Sequence, residues 1–310
     1  MWVSKGVKAA LPDYRTAIAG GIAGSVGKTM TAPLSRMTIL YQVKPELSKY
    51  SLPAAYSHVL KNEGILAFWK GNLTSVIHRF PYSAINFTVY DNMRKWLCSS
   101  EGGYGMEETV AVRLVCGATS GAVACCSCYP LEIARTRLAA YTGKGKVSVV
   151  GLIRQVIVEE GLFRGLFRGL GMSVAVAVPN IALSFTVYGS VKKHFMTGTV
   201  LPTEYLCDSK TGKFTLIGGL ISGSISAVLS SLLTFPADTI RKRLQSSKDA
   251  VKEGILKELG GIVRHNGSVL GLYKGIAPEL LRVMPMAGIT FGTYELVINL
   301  LDEVSESPSQ

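Results

Sequence analysis

Residues 129–140 read YPLEIARTRLAA: an aromatic and a proline, then an apolar helical run carrying Glu132 two places after the proline and Arg135 three further on. The pattern returns at Phe235–Gln245 as FPADTIRKRLQ, with Asp238 and Arg241 in those places. It returns again at Ala32–Gln42 as APLSRMTILYQ, where Ser35 and Thr38 replace both charges. The three prolines, Pro33, Pro130 and Pro236, lie 97 and 106 residues apart. Gly64, Gly161 and Gly267, in NEGILAFWKG, EEGLFRGLFRG and HNGSVLGLYKG, repeat those two separations, and Pro81, Pro179 and Pro285 lie 98 and 106 apart. Three landmarks recurring in phase establish a threefold internal repeat.

Each unit has the same plan. A long apolar helix containing the first proline turns polar and basic, and a short amphipathic helix then runs to the glycine. An aromatic–base–glycine triplet follows (Trp69-Lys70-Gly71, Phe167-Arg168-Gly169, Tyr273-Lys274-Gly275), and a second apolar helix passes through the second proline. The spacing predicts long helices near 14–42, 73–97, 110–138, 171–195, 214–244 and 277–300, each long enough to cross a bilayer. Ser, Thr, Asn and Arg interrupt these segments, and such polar faces must look into a bundle interior or a water-filled cavity. The expected fold is an all-α membrane protein, a single domain over 1–310. Its six transmembrane helices form three tandem pseudo-threefold repeats (12–100, 108–198 and 212–303) in a barrel with a central cavity.

Composition agrees. The chain of 310 residues is 48% hydrophobic and only 17% charged, where a soluble protein carries nearer a quarter. Its mean hydropathy is +0.29. The 33 glycines, spread through apolar stretches, suit closely packed membrane helices. The net charge of +12 comes from bases dispersed between apolar segments, with no basic helix interleaved with aromatics, which argues against nucleic acid and for anionic lipid or anionic solutes. CCSC at 125–128 lies in an apolar helix without a facing His or acid, so it reads as small residues packing, not as a metal site. No metal and no cofactor are expected. No His/Ser/acid constellation recurs, which sets an enzyme aside, and no acidic twelve-residue calcium loop occurs. MWVSKGVKAALPDY is too short and polar for a signal sequence, so internal segments are expected to direct insertion.

Over essentially the whole chain the sequence resembles the mitochondrial carrier family, whose signature is Pro-x-acid-x-x-base-x-base. Repeat two matches as Pro130, Glu132, Arg135 and Arg137, and repeat three as Pro236, Asp238, Arg241 and Arg243. The triplets and the pairs Tyr90-Asp91, Tyr188-Gly189 and Tyr294-Glu295 add to the resemblance. KTMTAPLSRMTILYQV and FWKGNLTSVIHRFPYSAINFTVYD are similar to the branch carrying adenine nucleotides and coenzyme A, within which a plant-type subgroup shares the Ser/Thr first motif. The resemblance implies a multi-pass carrier of the mitochondrial inner membrane, a monomer working by alternating access, with peroxisome or plastid membranes as alternatives. It further implies cardiolipin-type lipid at the triplets and a ring of acid–base pairs at the matrix end of the cavity.

In such a ring the acid of one repeat pairs with the base of the next. Glu132–Arg241 keeps both charges, Ser35 is expected to face Arg135, and Thr38 to face Asp238. Gln42 and Gln245 are expected to brace this gate, which Ala139 at the matching place cannot do. At the cytoplasmic end Asp91 is expected to pair with Lys192 and Glu295 with Arg94, beside Tyr90, Tyr188 and Tyr294, while Gly189 and Ile298 leave the third bridge without either partner.

The cavity middle falls just before the second prolines. Lys28, His78, Arg79 and Arg282 are candidates to gather phosphates, arginine suiting them bidentately. Val176, Ala177 and Asn180 are candidates for a purine face. The bland readings stand beside these: Arg79 in a helix pair, His78 as a packed imidazole, and Glu279 balancing a cavity arginine. The leading function is transport of adenine nucleotides or related anionic phosphate compounds, probed against coenzyme A, adenosine 3′,5′-bisphosphate, and a carrier-like receptor or scaffold that does not transport.

Overall fold

A computed structural model describes residues 14–99, 104–107, 109–143, 147–177, 216–246, 260–261 and 268–306, with isolated helical positions at 179, 180, 183, 187 and 190. Repeat one comprises α1 (Tyr14–Met30), α2 (Ala32–Val43), α3 (Leu52–Glu63) and α4 (Asn72–Cys98). Repeat two comprises α5 (Val110–Ala140), α6 (Val149–Glu160), α7 (Leu162–Leu166) and α8, which opens at 170 and is helical at every described position to 190. Repeat three contributes α9 (Leu216–Ser246) and α10 (Ile276–Glu306). The result is a six-helix barrel: α1 packs on α10, α4 on α5, and α2, α5 and α9 meet one another at the floor.

The first long helix, expected unbroken over 14–42, is divided at Thr31. Pro33 has no N–H for the carbonyl of Thr29 four residues back. Trp69 Nε1 donates to that carbonyl instead, at 2.9 Å, and Thr31 Oγ1 donates to Gly27 O at 2.7 Å. The helices through Pro81, Pro130, Pro236 and Pro285 are continuous.

Helix α1 shows how one segment serves lipid and bundle together. Ile18, Ile22, Val26 and Met30, four residues apart, are exposed, whereas Ala19 and Ala23 are fully buried. A Cβ on Gly27, next in that buried row, would lie 2.3 Å from Thr290 Oγ1 of α10. Small residues at fourfold spacing let the two backbones approach. Among the described residues one helix, Ala111–Ala140, is apolar and long enough to cross a membrane on composition alone. The others carry polar rows that lower their hydropathy, and α1 is cut short at Thr31. Yet α4, of 27 residues, spans about 40 Å at 1.5 Å per residue.

Candidate functional site

The C-terminal ends of α2, α5 and α9 converge into a floor, and the sequence places their charges there. Arg241 of α9 forms an ion pair with Glu132 of α5. Gln245, one turn on, reaches the same carboxylate: its Nε2 lies 3.1 Å from Glu132 Oε1, 3.2 Å from Tyr129 Oη and 3.3 Å from Ser173 Oγ, while its Oε1 accepts from Thr136. Gln245 therefore sits on the intact pair. Gln42 does not sit on a charge: its Nε2 donates to Thr239 Oγ1 at 3.3 Å. The other two expected junctions differ from the sequence reading. Ser35 and Arg135 line the same pocket, but among the described residues no hydrogen bond joins them. The Thr38 hydroxyl donates to Leu34 O at 3.1 Å, not to Asp238. Asp238 lies 3.7 Å from Arg241 on its own helix.

Beneath these pairs lies a second ring that the motif did not reveal. Arg137 Nε donates to Gln245 O at 3.0 Å, and Arg243 Nε to Gln42 O at 2.6 Å. Repeat one has Leu40 where those arginines stand, yet Arg36, four residues earlier, donates from Nε to Ala139 O at 3.1 Å. Each acceptor belongs to the last turn of the next repeat's helix, where backbone carbonyls lack intrahelical donors. Arg36 also holds Glu63 and Tyr141 O, both at 2.8 Å, and Arg137 holds Glu160. The base of each triplet joins this layer: Lys70 pairs with Glu63, Arg168 with Glu160, and Lys274 donates to Ser48 Oγ at 3.1 Å. The triplet aromatics pack inward too, Phe167 on Tyr129 and Tyr273 on Phe235, each at 6.2 Å. The bases of the three triplets, expected to meet lipid headgroups, are thus engaged by protein partners, while Trp69 stays 38% exposed. The signal for Arg36 was a base beside the lost acid, shifted by one turn.

Above the floor Lys28, Ser35, Ser75, Arg135 and Arg282 line one cavity. Lys28 lies within electrostatic reach of Arg135, Arg79 and Arg282, and its Nζ donates to Ser75 O at 3.3 Å. His78 is buried, with its ring 5.4 Å from that of Tyr82 and its Nε2 lacking a protein partner. Arg282 pairs with Glu279, one turn before it. On α8, Val176 is only 5% exposed, Ala177 is half-buried, and Asn180 donates to Thr234 Oγ1 at 3.3 Å. Of the three residues expected to form a purine face, Ala177 and Asn180 are partly accessible and Val176 is buried.

At the opposite end Asp91 pairs with Lys95 of its own helix at 2.6 Å, both exposed. Glu295 is exposed and forms no ion pair among the described residues, so its expected bridge to Arg94 is not made. Tyr90 and Tyr294 are half-buried near them in sequence, whereas Tyr188, Gly189 and Lys192 lie outside the described residues. Among the described residues an ion pair joins two helices at one end of the barrel, whereas the one at the other end lies within a single helix.

The sequence profile of the mitochondrial carrier protein family matches residues 10–101, 107–199 and 212–305. The chain belongs to the mitochondrial carrier family. Its members and named relatives are transporters, so the chain is a membrane-embedded carrier and not an enzyme. It is 33% identical over 96% of its length to the adenine nucleotide transporter BT1, chloroplastic/mitochondrial, of Arabidopsis thaliana, covering 72% of that protein. It is 32% identical to mitochondrial thiamine pyrophosphate carrier 1 of Scheffersomyces stipitis over 94% of this chain and 92% of the relative. It is also 29% identical to mitochondrial substrate carrier family protein P of Dictyostelium discoideum, over 94% and 96%.

Proposed function

We propose that this carrier exchanges adenine nucleotides or closely related phosphate anions across the mitochondrial inner membrane by alternating access. One observation carries the reading: three bases from three helices, Lys28, Arg135 and Arg282, line a single cavity, and Arg79 of a fourth lies within electrostatic reach of Lys28. Among the described residues Arg282 is the one of these bases with a carboxylate in direct contact. A set of unneutralised bases in a confined, low-dielectric space suits a ligand with several negative charges. A phosphate chain fits that requirement, and the half-buried Ala177 leaves apolar room for a base. In this reading the Glu132–Arg241 floor is the matrix gate, and the exposed Asp91 and Glu295 belong to the open cytoplasmic gate. The named relatives include carriers of adenine nucleotides and of thiamine pyrophosphate, both phosphate-bearing.

The test is thermal unfolding of the purified carrier with ATP, ADP, coenzyme A, adenosine 3′,5′-bisphosphate, thiamine pyrophosphate and dicarboxylates, followed by exchange in proteoliposomes. Adenine nucleotides at about a hundred times Kd stabilise by roughly 2.7 kcal/mol, and Arg79→Ala abolishes that shift. Stabilisation by thiamine pyrophosphate or dicarboxylates alone overturns the proposed substrate. Binding without any exchange overturns transport in favour of a receptor.

A further inference from the structure

The three junctions of the upper ring are filled differently. Between α5 and α9 stands the Glu132–Arg241 pair, braced by Gln245. Between α9 and α2, Gln42 bonds to Thr239. Between α2 and α5, where the first motif has Ser35 in place of an acid, lies a cavity of about 50 Å³ shared by Ser35 and Arg135. Gly71 keeps it narrow: at φ 83° it brings the start of α4 so close to α5 that a Cβ there would lie 2.9 Å from Arg135 O. Among the described residues five bases line the cavity, Lys28, Arg36, Lys70, Arg135 and Arg282, and no acid does. Two carboxylates reach these bases from outside. Glu63 serves Arg36 and Lys70 together through one oxygen, and Glu279 serves Arg282. Five bases against two carboxylates leave an excess of three positive charges.

A second observation, independent of the charges, also points to a ligand. Arg36 is only 2% exposed, and its Nε and Nη2 are satisfied by Ala139 O, Tyr141 O and Glu63. Its Nη1 is buried as well and lacks a protein partner. A buried guanidinium nitrogen calls for an acceptor, because nothing else offsets the loss of its water. Lys28 Nζ meets a neutral carbonyl, Ser75 O, at 3.3 Å. The cavity has room for roughly three to five water-sized groups, enough for one phosphoryl group and too little for a nucleoside. We propose that this gap is an anion subsite: Ser35, Arg36 and Arg135, with Lys28, take one phosphoryl-sized anion, either free inorganic phosphate or the terminal phosphate of the substrate. The choice of phosphate rests on the carrier reading above. The bound anion supplies the negative charge that repeat one does not encode, and it joins α2 to α5 as Glu132 joins α5 to α9. That junction of the upper ring is therefore completed by a ligand and not by the chain.

Ser35→Asp and Ser35→Asn, alike in size and different in charge, test this in the full-length carrier. The readout is the unfolding midpoint in detergent against inorganic phosphate, with gluconate holding the ionic strength constant. Phosphate raises the midpoint of the wild type and of Ser35→Asn. Ser35→Asp starts higher without phosphate and needs at least about tenfold more of it for half the shift, the equivalent of one charge-assisted contact. Arg135→Gln, which removes a cation instead of adding an anion, loses the phosphate shift. The same titration with ADP separates the two sources. If the substrate's own phosphate fills the gap, Ser35→Asp weakens ADP by a similar factor and ADP competes with inorganic phosphate. If free phosphate fills it, the two bind together and ADP affinity is unchanged; either result supports the subsite. Equal phosphate and ADP responses in Ser35→Asp and Ser35→Asn overturn it, as does a phosphate shift that Arg135→Gln retains, or a wild type that responds to neither ligand. The carrier reading fails separately. A Ser35-dependent phosphate response without nucleotide binding or exchange keeps the subsite and removes the nucleotide, whereas nucleotide exchange with equal responses in both variants removes the subsite alone.

Discussion

The floor of the barrel contains two rings of different symmetry. The lower one, in which Arg36, Arg137 and Arg243 each donate to the last-turn carbonyl of the next floor helix, is complete at all three junctions. The upper one, made of side-chain pairs, is complete only at Glu132–Arg241. The difference lies in what each bond requires. A helix C-terminus always offers unpaired carbonyls at the negative end of its dipole, so an arginine shifted by one turn, as Arg36 is, still finds an acceptor. A side-chain pair needs two encoded partners in register, and losing either removes it. The lower ring tolerates sequence drift, whereas the upper ring records it.

The largest expected effect attacks the intact upper pair. Arg241→Ala strands Glu132 beside Gln245 and lowers unfolding stability by about 3 kcal/mol, the low end for a broken buried pair because cavity water reaches the site. Chemical unfolding in detergent measures it, and a loss under about 1 kcal/mol would make the two rings energetically alike. Next comes Arg36→Leu, which removes three bonds, leaves Glu63 to Lys70 alone, and costs about 2–3 kcal/mol. Arg137→Leu is expected to match it within about 1 kcal/mol, and a wide disparity breaks the equivalence claimed for the lower ring.

Gln245→Ala is expected to cost about 1–2 kcal/mol, against about 1 kcal/mol or less for Gln42→Ala, which has one side-chain bond to lose. Equal losses would mean that Gln245 draws nothing from the charge it touches. Ser35→Asp places a carboxylate in the pocket shared with Arg135 and is expected to stabilise the closed floor by about 1 kcal/mol, visible as slower exchange. Acceleration instead would show that the gap at that junction does not set the rate. The smallest effect belongs to the exposed end: Asp91→Asn leaves unfolding within about 0.5 kcal/mol of wild type, and a larger loss would show that this end also closes through Asp91.

Much of this was legible because repeats expose themselves by phase. Pro130 and Pro236 with their acids and bases, and the three triplets, located the floor helices and the Glu132–Arg241 pair between two of them. Gln245 was legible as a brace from its offset alone. Gln42 had the same offset and a different outcome, because no charge stands opposite it and Thr239 is the nearest acceptor. Arg36 escaped notice because its repeat has Leu40 at the position occupied by Arg137 and Arg243. The role of Trp69 escaped because a proline-freed carbonyl is visible in sequence, whereas the donor that meets it, forty residues away, is not.

The amino-acid sequence determined the threefold plan, the helical polar faces and the family, since these depend on periodicity and on spacing along the chain. Tertiary structure alone decided which partners meet. It directed the Thr38 hydroxyl to Leu34 O instead of Asp238, tied Asp91 to its own helix, and turned the triplet bases inward. Such contacts depend on which helix ends approach within about 3 Å, a quantity set by packing among all the repeats and not by any motif within one of them.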